Sequence, residues 1–502
     1  MAMAMDTENI SSTLPADRVK TQFESMPYVS MPFAQTQPER MGALAILHGM
    51  NPPAVERARV LEIGSAAGGN ILPLAARYPD ASFIAFDLSP RHVAMGMKRI
   101  EAAGLTNAAI FAGDVGDPEV LAGQWDYIIC HGLFSWVPPD LRPRIMDLIA
   151  RHLSPDGVAY VSFNVLPGWR QRQVVRDIML RSKAEDPAES MAQGRKLLSR
   201  LADLSDANTP YGALLRQEAA KIAAATDSYL HGEFFSPHNH PLTFADFRQE
   251  ASRAGLAYVA DTDMHAFKAE LSDPALARSV GEWPEGGLDE DLLDMVQGRQ
   301  FRQALLVHDS HRRRLSARPG KTGLRFLHVS TRLRIHGDST GAAPIRLRTP
   351  EGAGMTTNDS RIAQALDKAG QAFPANVPAA QLIDDTAGAD EDRRTRLEDA
   401  LLQLNASGVV TLSTSPLSSG RATDSRPRAF PYALADLAYG QGWVTNLLHA
   451  AVNLDETGQK LLPLLDGERT LEKIAVDFST PPDPRRVVAL LQRVEKAALL
   501  TP

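Results

Sequence analysis

Short runs of apolar residues alternate with stretches of helical periodicity through the first part of the chain. The spacing predicts strands at 60–63, 82–86, 108–114, 125–129 and 158–163, a helix that begins at 71 and another at about 140–153. It also predicts a turn at 154–157, a helix at 244–254 and strands at 256–260 and 301–308. Strands that alternate with helices indicate a parallel sheet covered on both faces. The predicted fold class is therefore α/β, a doubly wound Rossmann-like sheet whose last two strands are those at 256–260 and 301–308.

The same patterns suggest where the catalytic part of the chain begins and ends. Residues 1–55 contain several prolines and are predicted to form an N-terminal cap segment, whose helix at 38–48 covers one end of the sheet. Residues 170–225 are rich in Ala, Leu, Arg and Glu, with few breakers besides Pro187 and Pro210. We therefore expect one domain over 56–315, with a helical insertion at about 170–230 that is a candidate surface for a homodimer.

From residue 316 onwards the pattern changes. It predicts a strand within 324–336, a loop at 349–360, a strand or wing at 408–412 and a flexible Ser- and Pro-rich loop at 413–427. Helices are predicted at 362–373, 394–406, 434–439, 459–465, 471–477 and 485–499, with Pro463 interrupting the fourth. Packets of helices and a strand are typical of winged-helix units. We therefore predict that 316–502 is an α+β winged-helix-like regulatory or docking region of one or two such units.

The composition narrows the classes of function. A chain of 502 residues exceeds one ordinary core, so two or three domains are expected. The formal charge of −7 and the lack of a basic recognition helix argue against nucleic-acid binding, and the basic run at 312–314 is predicted to be a solvated face or linker. No apolar run predicts a membrane span and no secretory signal is visible, so a cytoplasmic protein is expected. Cys130, the single cysteine, is predicted to be a buried hydrophobe.

The strongest chemical signal lies at 60–87, which reads VLEIGSAAGGNILPLAARYPDASFIAFD. A strand leads into a glycine-rich turn, a helix follows, and a second strand ends in Asp87. Glycines between a strand and a helix allow a ligand to approach the backbone closely. An acid at the end of the next strand is placed to accept hydrogen bonds from ribose hydroxyls. The pattern therefore predicts a cofactor that contains a nucleoside.

The details of the turn favour one such cofactor over another. Nicotinamide dinucleotides prefer G-x-G-x-x-G, whereas this chain has Glu62-x-Gly64-x-Ala66-x-Gly68. This pattern resembles motif I of the class I S-adenosylmethionine methyltransferases, with Ala66 in place of a glycine. The resemblance implies S-adenosylmethionine as cofactor, with Asp87 at the ribose and Asp114 near the adenine. The full predicted cofactor set is Glu62, Gly64, Ser65, Ala66, Gly68, Asn70, Asp87, Leu88, Asp114, Val115 and His131. A glycine turn that merely packs is the alternative.

Longer motifs carry a more specific resemblance. They read MPYVSMPFAQTQPERMGALAILHGMNPP, WDYIICHGLFSWVP, GVAYVSFNVLPGW, FADFRQEASRAGLAYVAD and GRQFRQALLVHDS, and LLPLLDGERTLEKIA near the end. Together they resemble the bacterial class I methyltransferases that carry a methyltransferase regulatory domain. The best-described members of that family methylate lysines of outer-membrane proteins. The resemblance therefore implies a protein substrate, with outer-membrane proteins among the candidates.

The residues after the fourth strand suggest how an acceptor is held. His131 can orient or deprotonate an amine, or it can instead bond the cofactor or a backbone carbonyl. Phe134 and Trp136 can wall a channel for an alkylammonium through cation–π contact, and Tyr28 can close the pocket. Trp136, like Trp169, is alternatively a core residue. The predicted catalytic set is His131, Trp136 and Tyr28.

Other readings of the sequence stay open. His238 and His240 stand two apart without a neighbouring cysteine or carboxylate motif, so no metal site is predicted. The preferred function is methyl transfer to lysine in a protein. The alternatives are a small-molecule N- or O-methyltransferase on the same fold and a catalytically silent module that binds S-adenosylmethionine and acts by protein contact.

Overall fold

The computed structural model describes residues 26–117, 119–281, 289–337, 344–440, 442–478 and 481–502. Residues 1–25 of the predicted cap segment lie outside the described residues. Among the residues that are described, no helix combines the length and the apolar character needed to cross a membrane.

A mixed sheet of seven strands, in the order β3-β2-β1-β4-β5-β7-β6, forms the centre of the molecule. Its strands are β1 (Arg59–Ile63), β2 (Ser82–Asp87), β3 (Ala108–Ala112), β4 (Trp125–Cys130), β5 (Leu153–Asn164), β6 (Leu256–Asp261) and β7 (Phe301–His308). Strands β1 to β5 pair in parallel, and β7 runs antiparallel to both of its neighbours. The predicted doubly wound α/β sheet is confirmed, with β6 and β7 as its last strands.

The order of the strands places the site. From β1 the chain moves outward through β2 and β3, then returns to β4 on the other side of β1. Ligands bind beyond the carboxyl ends of the strands where the order reverses in this way. Gly64, Asp87 and His131 stand at the ends of β1, β2 and β4 respectively.

The turn predicted at 154–157 is instead part of β5. Trp125 of β4 pairs with Leu153, and Tyr127 pairs with Val158, so the intervening residues of β5 bulge out of the ladder. Residues that favour turns, including Gly157, lie in this bulge because a bulge, like a turn, departs from extended strand geometry.

In chain order, the helices up to residue 297 are α1 (Pro38–Leu47), α2 (Leu72–Arg77), α3 (Pro90–Ala102), α4 (Arg142–His152), α5 (Trp169–Leu180), α6 (Pro187–Leu204), α7 (Pro210–Ala224), α8 (Asp227–Phe235), α9 (Phe244–Arg253), α10 (His265–Ser272), α11 (Pro274–Gly281) and α12 (Glu290–Gln297). Helices α5 to α8 form the insertion, which has a core of its own around Met179, Leu198 and Phe234. Pro187 and Pro210 begin α6 and α7 rather than breaking them, because the first helical position needs no amide donor.

The first half of the C-terminal region differs in part from the prediction. The structure has β8 (His328–Ser330), β9 (Arg334–Ile335), β10 (Ile345–Arg348), β11 (Gly354–Thr357), α13 (Ser360–Ala372), β12 (Val377–Pro378), α14 (Ala379–Ala387), α15 (Glu391–Ala406) and β13 (Thr411–Ser413). The strand predicted within 324–336 is wrong as one element, because Lys321–Phe326 is a 3-10 helix and two short strands follow it. The loop predicted at 349–360 contains β11, which pairs with β10 as a hairpin.

The second half contains β14 (Arg428–Ala429), α16 (Pro431–Tyr439), β15 (Trp443–Thr445), β16 (Ala451–Asn453), α17 (Glu456–Leu461), α18 (Leu471–Phe478), α19 (Pro484–Lys496) and β17 (Leu500–Thr501). The helix predicted at 459–465 ends at Leu461, and a 3-10 turn carries Pro463. Residues 414–427 are irregular as predicted, whereas Ser413 ends β13, and Leu417 and Ala422 are buried. The side chain of Asn376 accepts a hydrogen bond from the amide of Leu417 and so fixes the segment.

The two faces of the sheet are covered by different parts of the chain. One face packs against α4 and α9, with Phe134 and Phe247 in its core. The other face shares a single core with the C-terminal region, in which Tyr127 of β4 belongs to the same cluster as Tyr432 and Leu499. The predicted N-terminal helix, α1, contributes Ala43 and Leu47 to the core of residues 324–412. The basic residues at 312–314 are exposed, as predicted.

Candidate active site

The glycine-rich turn is tied to the end of β2 by its own backbone. The amides of Gly64 and Ser65 both donate to the carbonyl of Phe86, at 2.9 and 3.2 Å. The amide of Ala66 donates to Oδ2 of Asp87 at 2.8 Å. Gly64 has φ +70° and Ala66 has φ +48°, so the turn uses the left-handed conformation at both positions. The geometry exposes the turn's backbone to the space beyond the strand ends.

Asp87 is held from its other side by α3. Oδ1 of Asp87 accepts from the amide of Ser89 at 2.9 Å and lies 3.1 Å from Nδ1 of His92. The amide of Tyr28 donates to Nε2 of the same imidazole at 3.2 Å. Because Nε2 accepts, Nδ1 carries the proton and donates to Asp87. His92, which the sequence did not indicate, therefore connects the predicted ribose ligand to residues 26–37, the described part of the cap segment that precedes α1.

A buried amide joins the turn to two distant segments. Nδ2 of Asn70 donates to Oε1 of Glu62 at 2.7 Å. Oδ1 of Asn70 accepts from the amide of Phe33 at 2.9 Å and from Oγ1 of Thr36 at 3.0 Å. It also lies 2.9 Å from Nε2 of His449, in the C-terminal region. Burial, the largest cause, together with the charges of two arginines, lowers the pKa of His449 to about 3, so this imidazole is neutral and donates from Nε2.

Glu62 presents an unused acceptor at the centre of the site. Burial raises its pKa to about 8, against the opposing hydrogen bond from Asn70. Its second oxygen, Oε2, is buried without a hydrogen-bond partner among the described residues. A buried carboxyl oxygen without a partner is costly, so a ligand that brings a donor or a positive charge is favoured at this point.

The cap segment presses directly on the turn. The amide of Gly69 donates to Oγ of Ser30 at 2.7 Å. A Cβ at position 69 would lie 2.2 Å from the carbonyl oxygen of Ser30, so only glycine allows this approach. The cap segment therefore packs directly on the turn through Ser30, and Tyr28 of the same segment lines the cavity.

His131 lies at the end of β4 among aromatic rings. Its Nδ1 is 2.9 Å from the hydroxyl of Tyr160 and 3.3 Å from that of Ser162. The ring of Phe33 packs on it with centroids 4.0 Å apart. Burial lowers the pKa of His131 to about 4, so the imidazole is neutral at physiological pH. Its Nε2 has no partner among the described residues and remains available to a ligand.

The outer wall of the site comes from the cap segment and the insertion. The ring of Tyr28 lies against Gly232 of α8, where a Cβ would come within 2.8 Å of it. Oε1 of Glu233 lies 3.4 Å from Nη2 of Arg172, which also donates to the hydroxyl of Tyr229 at 3.1 Å. Burial raises the pKa of Glu233, although Arg172 opposes the shift. Trp136 and Trp169 meet edge to face nearby, with centroids 6.1 Å apart.

These groups surround one cavity of about 430 Å³. The structure brings all the predicted site residues except Gly68 to its wall, namely Tyr28, Glu62, Gly64, Ser65, Ala66, Asn70, Asp87, Leu88, Asp114, Val115, His131 and Trp136. Gly68 lies within the turn, where its carbonyl accepts from the amide of Leu72. Phe134 does not wall a channel, because its ring is buried in the core against Phe247.

Some functional positions were not apparent from the sequence. Three residues of the insertion line the same cavity as the glycine turn, namely Arg172, Tyr229 and Glu233. The sequence of the insertion contains no pattern that indicates a catalytic residue. The aromatic and acidic residues of the YLHGE stretch at 229–233 are the signal that could have indicated them. Across the described ranges, no group of three or more His, Cys, Asp or Glu side chains is arranged to hold a metal ion. Cys130 is buried, and burial raises the pKa of its thiol to about 12.

Family models match three parts of the chain. A methyltransferase domain matches residues 60–157, a predicted methyltransferase regulatory domain matches 226–308, and a PKMT C-terminal winged helix domain matches 425–480. The second match covers α8 to β7 and so includes Glu233 of the outer wall.

Two relatives come from Rickettsia prowazekii, and both are uncharacterised proteins. One is 36% identical over 290 residues, which is 57% of this chain and 52% of the relative. The match thus spans about half the length of that relative. The other is 32% identical over 237 residues, which is 47% of this chain and 95% of the relative.

The fold is also that of solved structures. PKMT2 from Rickettsia typhi, alone and in complex with AdoHcy, superposes with TM-scores of 0.81 and 0.82. Each comparison is at 24% identity and covers 95% of this chain and 100% of the other. The glycine turn, the acid ending β2, the three matched models and the shared fold agree with one another. The chain belongs to the bacterial class I S-adenosylmethionine-dependent methyltransferases that carry a methyltransferase regulatory domain.

Proposed function

We propose that this protein transfers the methyl group of S-adenosylmethionine to the side-chain amine of lysine in a protein substrate. The observation that carries the proposal is the continuity of the cavity. The glycine turn and Asp87 line one end, and aromatic side chains with Glu233 line the other. A cofactor and a cationic acceptor can therefore meet within one cavity.

The residues at the inner end fit S-adenosylmethionine. Asp87 would accept hydrogen bonds from the ribose, while Asp114 and Val115 would border the adenine. The unpartnered Oε2 of Glu62 would meet the positively charged amino group of the methionine part. When bound, S-adenosylmethionine supplies a methyl group on a sulfonium sulfur, from which the lone pair of an acceptor nitrogen displaces it.

The outer end suits an alkylammonium. The rings of Tyr28, Trp136 and Tyr229 face the cavity, and aromatic faces attract cations. Glu233 adds a carboxylate that is mostly buried, with Arg172 as its ion-pair partner and the charge of Arg176 also acting on it. Burial raises its pKa despite these two charges, so a further cation would restore favourable electrostatics at this carboxylate. A lysine side chain combines an apolar stem with such a cation, and it matches both features of the wall.

His131 is suited to orient the acceptor rather than to take its proton. A lysine amine has a pKa of about 10, whereas burial lowers that of His131 to about 4. A base that weak cannot hold a proton drawn from an ammonium group. We propose that its free Nε2 forms a hydrogen bond with the acceptor nitrogen. The proton then leaves through water or through Glu233.

The comparisons support a protein acceptor. PKMT abbreviates protein lysine methyltransferase, and this name belongs both to the winged helix model matched at 425–480 and to PKMT2 of Rickettsia typhi. We propose the same class of acceptor here, with the C-terminal region as the part that meets the protein substrate and outer-membrane proteins among the candidates.

A labelling experiment tests the proposal. Purified protein would be incubated with methyl-labelled S-adenosylmethionine and with soluble and envelope fractions of the source organism. We expect label in discrete protein bands that yields methyl-lysine after hydrolysis. Label confined to small molecules would instead establish the metabolite enzyme. No label, with cofactor binding intact, would establish the silent module.

A substitution tests the outer wall separately. Glu233→Gln is expected to raise the KM for the protein acceptor about tenfold and to leave the dissociation constant of S-adenosylmethionine unchanged. Glu185→Gln, on an exposed part of the insertion, is the matched control and should behave as the wild type. An unchanged KM in Glu233→Gln would remove this carboxylate from acceptor binding.

A further inference from the structure

A second cavity, of about 400 Å³, lies away from the glycine turn. Three parts of the chain form its walls. The start of α1 and the end of α2 contribute Arg40 and Arg77, the first half of the C-terminal region contributes Arg332 and Phe373, and the second half contributes Leu448. The cavity is nearly as large as the first one, and its volume is within the range of small-molecule sites.

The charges around this cavity do not balance. Arg77 forms an ion pair with Glu39 at 2.5 Å, and Arg332 pairs with Glu351 outside the cavity wall. Arg40 donates one hydrogen bond, to the carbonyl of Ala34 at 3.2 Å. No carboxylate of the described residues lies within ion-pairing distance of its guanidinium, so Arg40 is the one arginine of the three that forms no ion pair, although Glu39 lies in the same wall.

A partly buried guanidinium that forms no ion pair is costly. Burial, the largest cause, lowers the pKa of Arg40, and the charge of Glu39 opposes the shift. Arg40 has five N–H donors in a planar fork that matches carboxylate and phosphate oxygens. An anion in the cavity would satisfy donors that one backbone carbonyl cannot.

Besides the three arginines, the wall carries the carboxylate of Glu39 and polar side chains such as Asn376, but most of its surface is apolar. Leu333, Met355, Phe373, Leu417 and Leu448 line it together with the arginines. A bare inorganic ion would leave these side chains facing water. A molecule with an anionic head and an apolar body would cover them, and each buried CH₂ group would contribute about 0.8 kcal/mol.

We propose that the second cavity binds a small organic anion, a carboxylate or phosphate that carries an apolar group, with Arg40 as its anchoring cation. The ligand would sit beside Leu448, whose chain neighbour His449 contacts Asn70 of the glycine turn. The site is separate from methyl transfer, and the proposal does not depend on the function proposed above.

Binding can be tested on the full chain with probes of defined chemistry. The probes are 6-bromohexanoate and hexyl phosphate, and hexan-1-ol is the neutral match. Titration calorimetry of the wild type is expected to detect both anions and not the alcohol. Arg40→Gln should weaken binding of the anions at least tenfold, Arg40→Lys should retain part of the affinity, and Arg325→Gln, at an exposed position, should retain all of it.

The location of the probe decides the outcome. In crystals grown with 6-bromohexanoate, the anomalous signal of bromine should lie inside the cavity. Failure of both anions to bind, equal affinity in Arg40→Gln, or a bromine signal elsewhere would each overturn the proposal. If Arg40→Gln does not fold, Arg40→Lys takes its place, and an affinity for the anions equal to that of the wild type in this variant would overturn the proposal.

Discussion

Nε2 of His449 lies 2.9 Å from Oδ1 of Asn70, although 379 positions separate the two residues in the chain. Asn70 also holds Glu62 and accepts from Phe33, so one amide joins the glycine turn, the cap segment and the C-terminal region. His449 has φ +57°, which places its side chain at a backbone position that favours glycine or asparagine. The structure thus maintains an unfavourable conformation at the residue that makes this contact.

Because of this contact, we predict that a substitution in the C-terminal region changes the affinity for the cofactor. His449→Ala is expected to weaken S-adenosylmethionine binding about fivefold, because the loss of one buried hydrogen bond costs about 1 kcal/mol and frees Asn70 to move. Calorimetric titration with S-adenosylmethionine measures this. His336→Ala, at an exposed position in the same region, is the control. Equal affinity in a folded His449→Ala protein would show that the contact does not support the turn.

Because Ser30 lies so close to the turn, we predict that the turn cannot accommodate a methyl group at position 69. Gly69→Ala would place Cβ 2.2 Å from the carbonyl oxygen of Ser30, so the cap segment must move away. We expect a loss of about 1–3 kcal/mol in the free energy of unfolding and a clear loss of S-adenosylmethionine affinity. Gly442→Ala meets no atom within 4 Å and serves as the control in the same denaturation and binding assays. Similar behaviour of the two variants would contradict the prediction.

The carboxyl of Glu62 predicts how stability depends on pH. Burial raises its pKa from 4.5 to about 8 in the folded protein, so folding favours the protonated form. This stabilisation is fully present below pH 4.5 and is lost as the pH rises through 8. Between these values the free energy of unfolding should fall with pH, at up to about 1.4 kcal/mol per pH unit from this group.

Glu62→Gln keeps the acceptor for Asn70 and removes the titration. Urea unfolding at several pH values between about 5 and 9 should therefore show a flatter dependence in Glu62→Gln than in the wild type or in Glu185→Gln. Parallel curves for all three proteins would show that Glu62 is already ionised when the protein is folded.

Among these variants, we expect a substitution of Asp87 to lower the affinity for S-adenosylmethionine the most. Asp87→Asn removes the charge and one acceptor from a side chain that binds the amides of Ala66 and Ser89. Hydrogen bonds to charged groups contribute about 1.5–3 kcal/mol, so the affinity for S-adenosylmethionine should fall about 10- to 100-fold. Asp80→Asn, on the exposed turn before β2, should bind as the wild type does. A comparable loss in both variants would point to a general effect on the fold.

The sequence could predict what depends on neighbours along the chain. The apolar run at 301–308 matches β7 in full, and the glycine turn and Asp87 lie at the strand ends as expected. These features follow local rules of periodicity and backbone freedom. The alternation of apolar and polar residues within 324–336 does not correspond to one strand. The stretch contains the end of a 3-10 helix and two short strands, so the pattern has no single periodicity.

The sequence could not predict partners that folding brings from afar. Ser30 meets Gly69, His92 meets Tyr28, and His449 meets Asn70, yet no motif spans these separations. Glu233 belongs to α8 of the insertion, a helix in which apolar and polar residues are not separated onto two faces. Such side chains become recognisable as part of the site when the sheet, the cap segment and the insertion are seen together.

The core that the sheet shares with residues beyond 406 has a consequence for synthesis. A ribosome makes every strand of the sheet by residue 308, when Tyr127 and its neighbours still lack Tyr432 and Leu499. A growing chain at that stage exposes one apolar face of a sheet whose other face is already covered. Asn70 also lacks His449 until the last segment emerges. We therefore expect the cofactor site to gain this last contact only late in translation, and the apolar face of a half-made chain to need shielding until then.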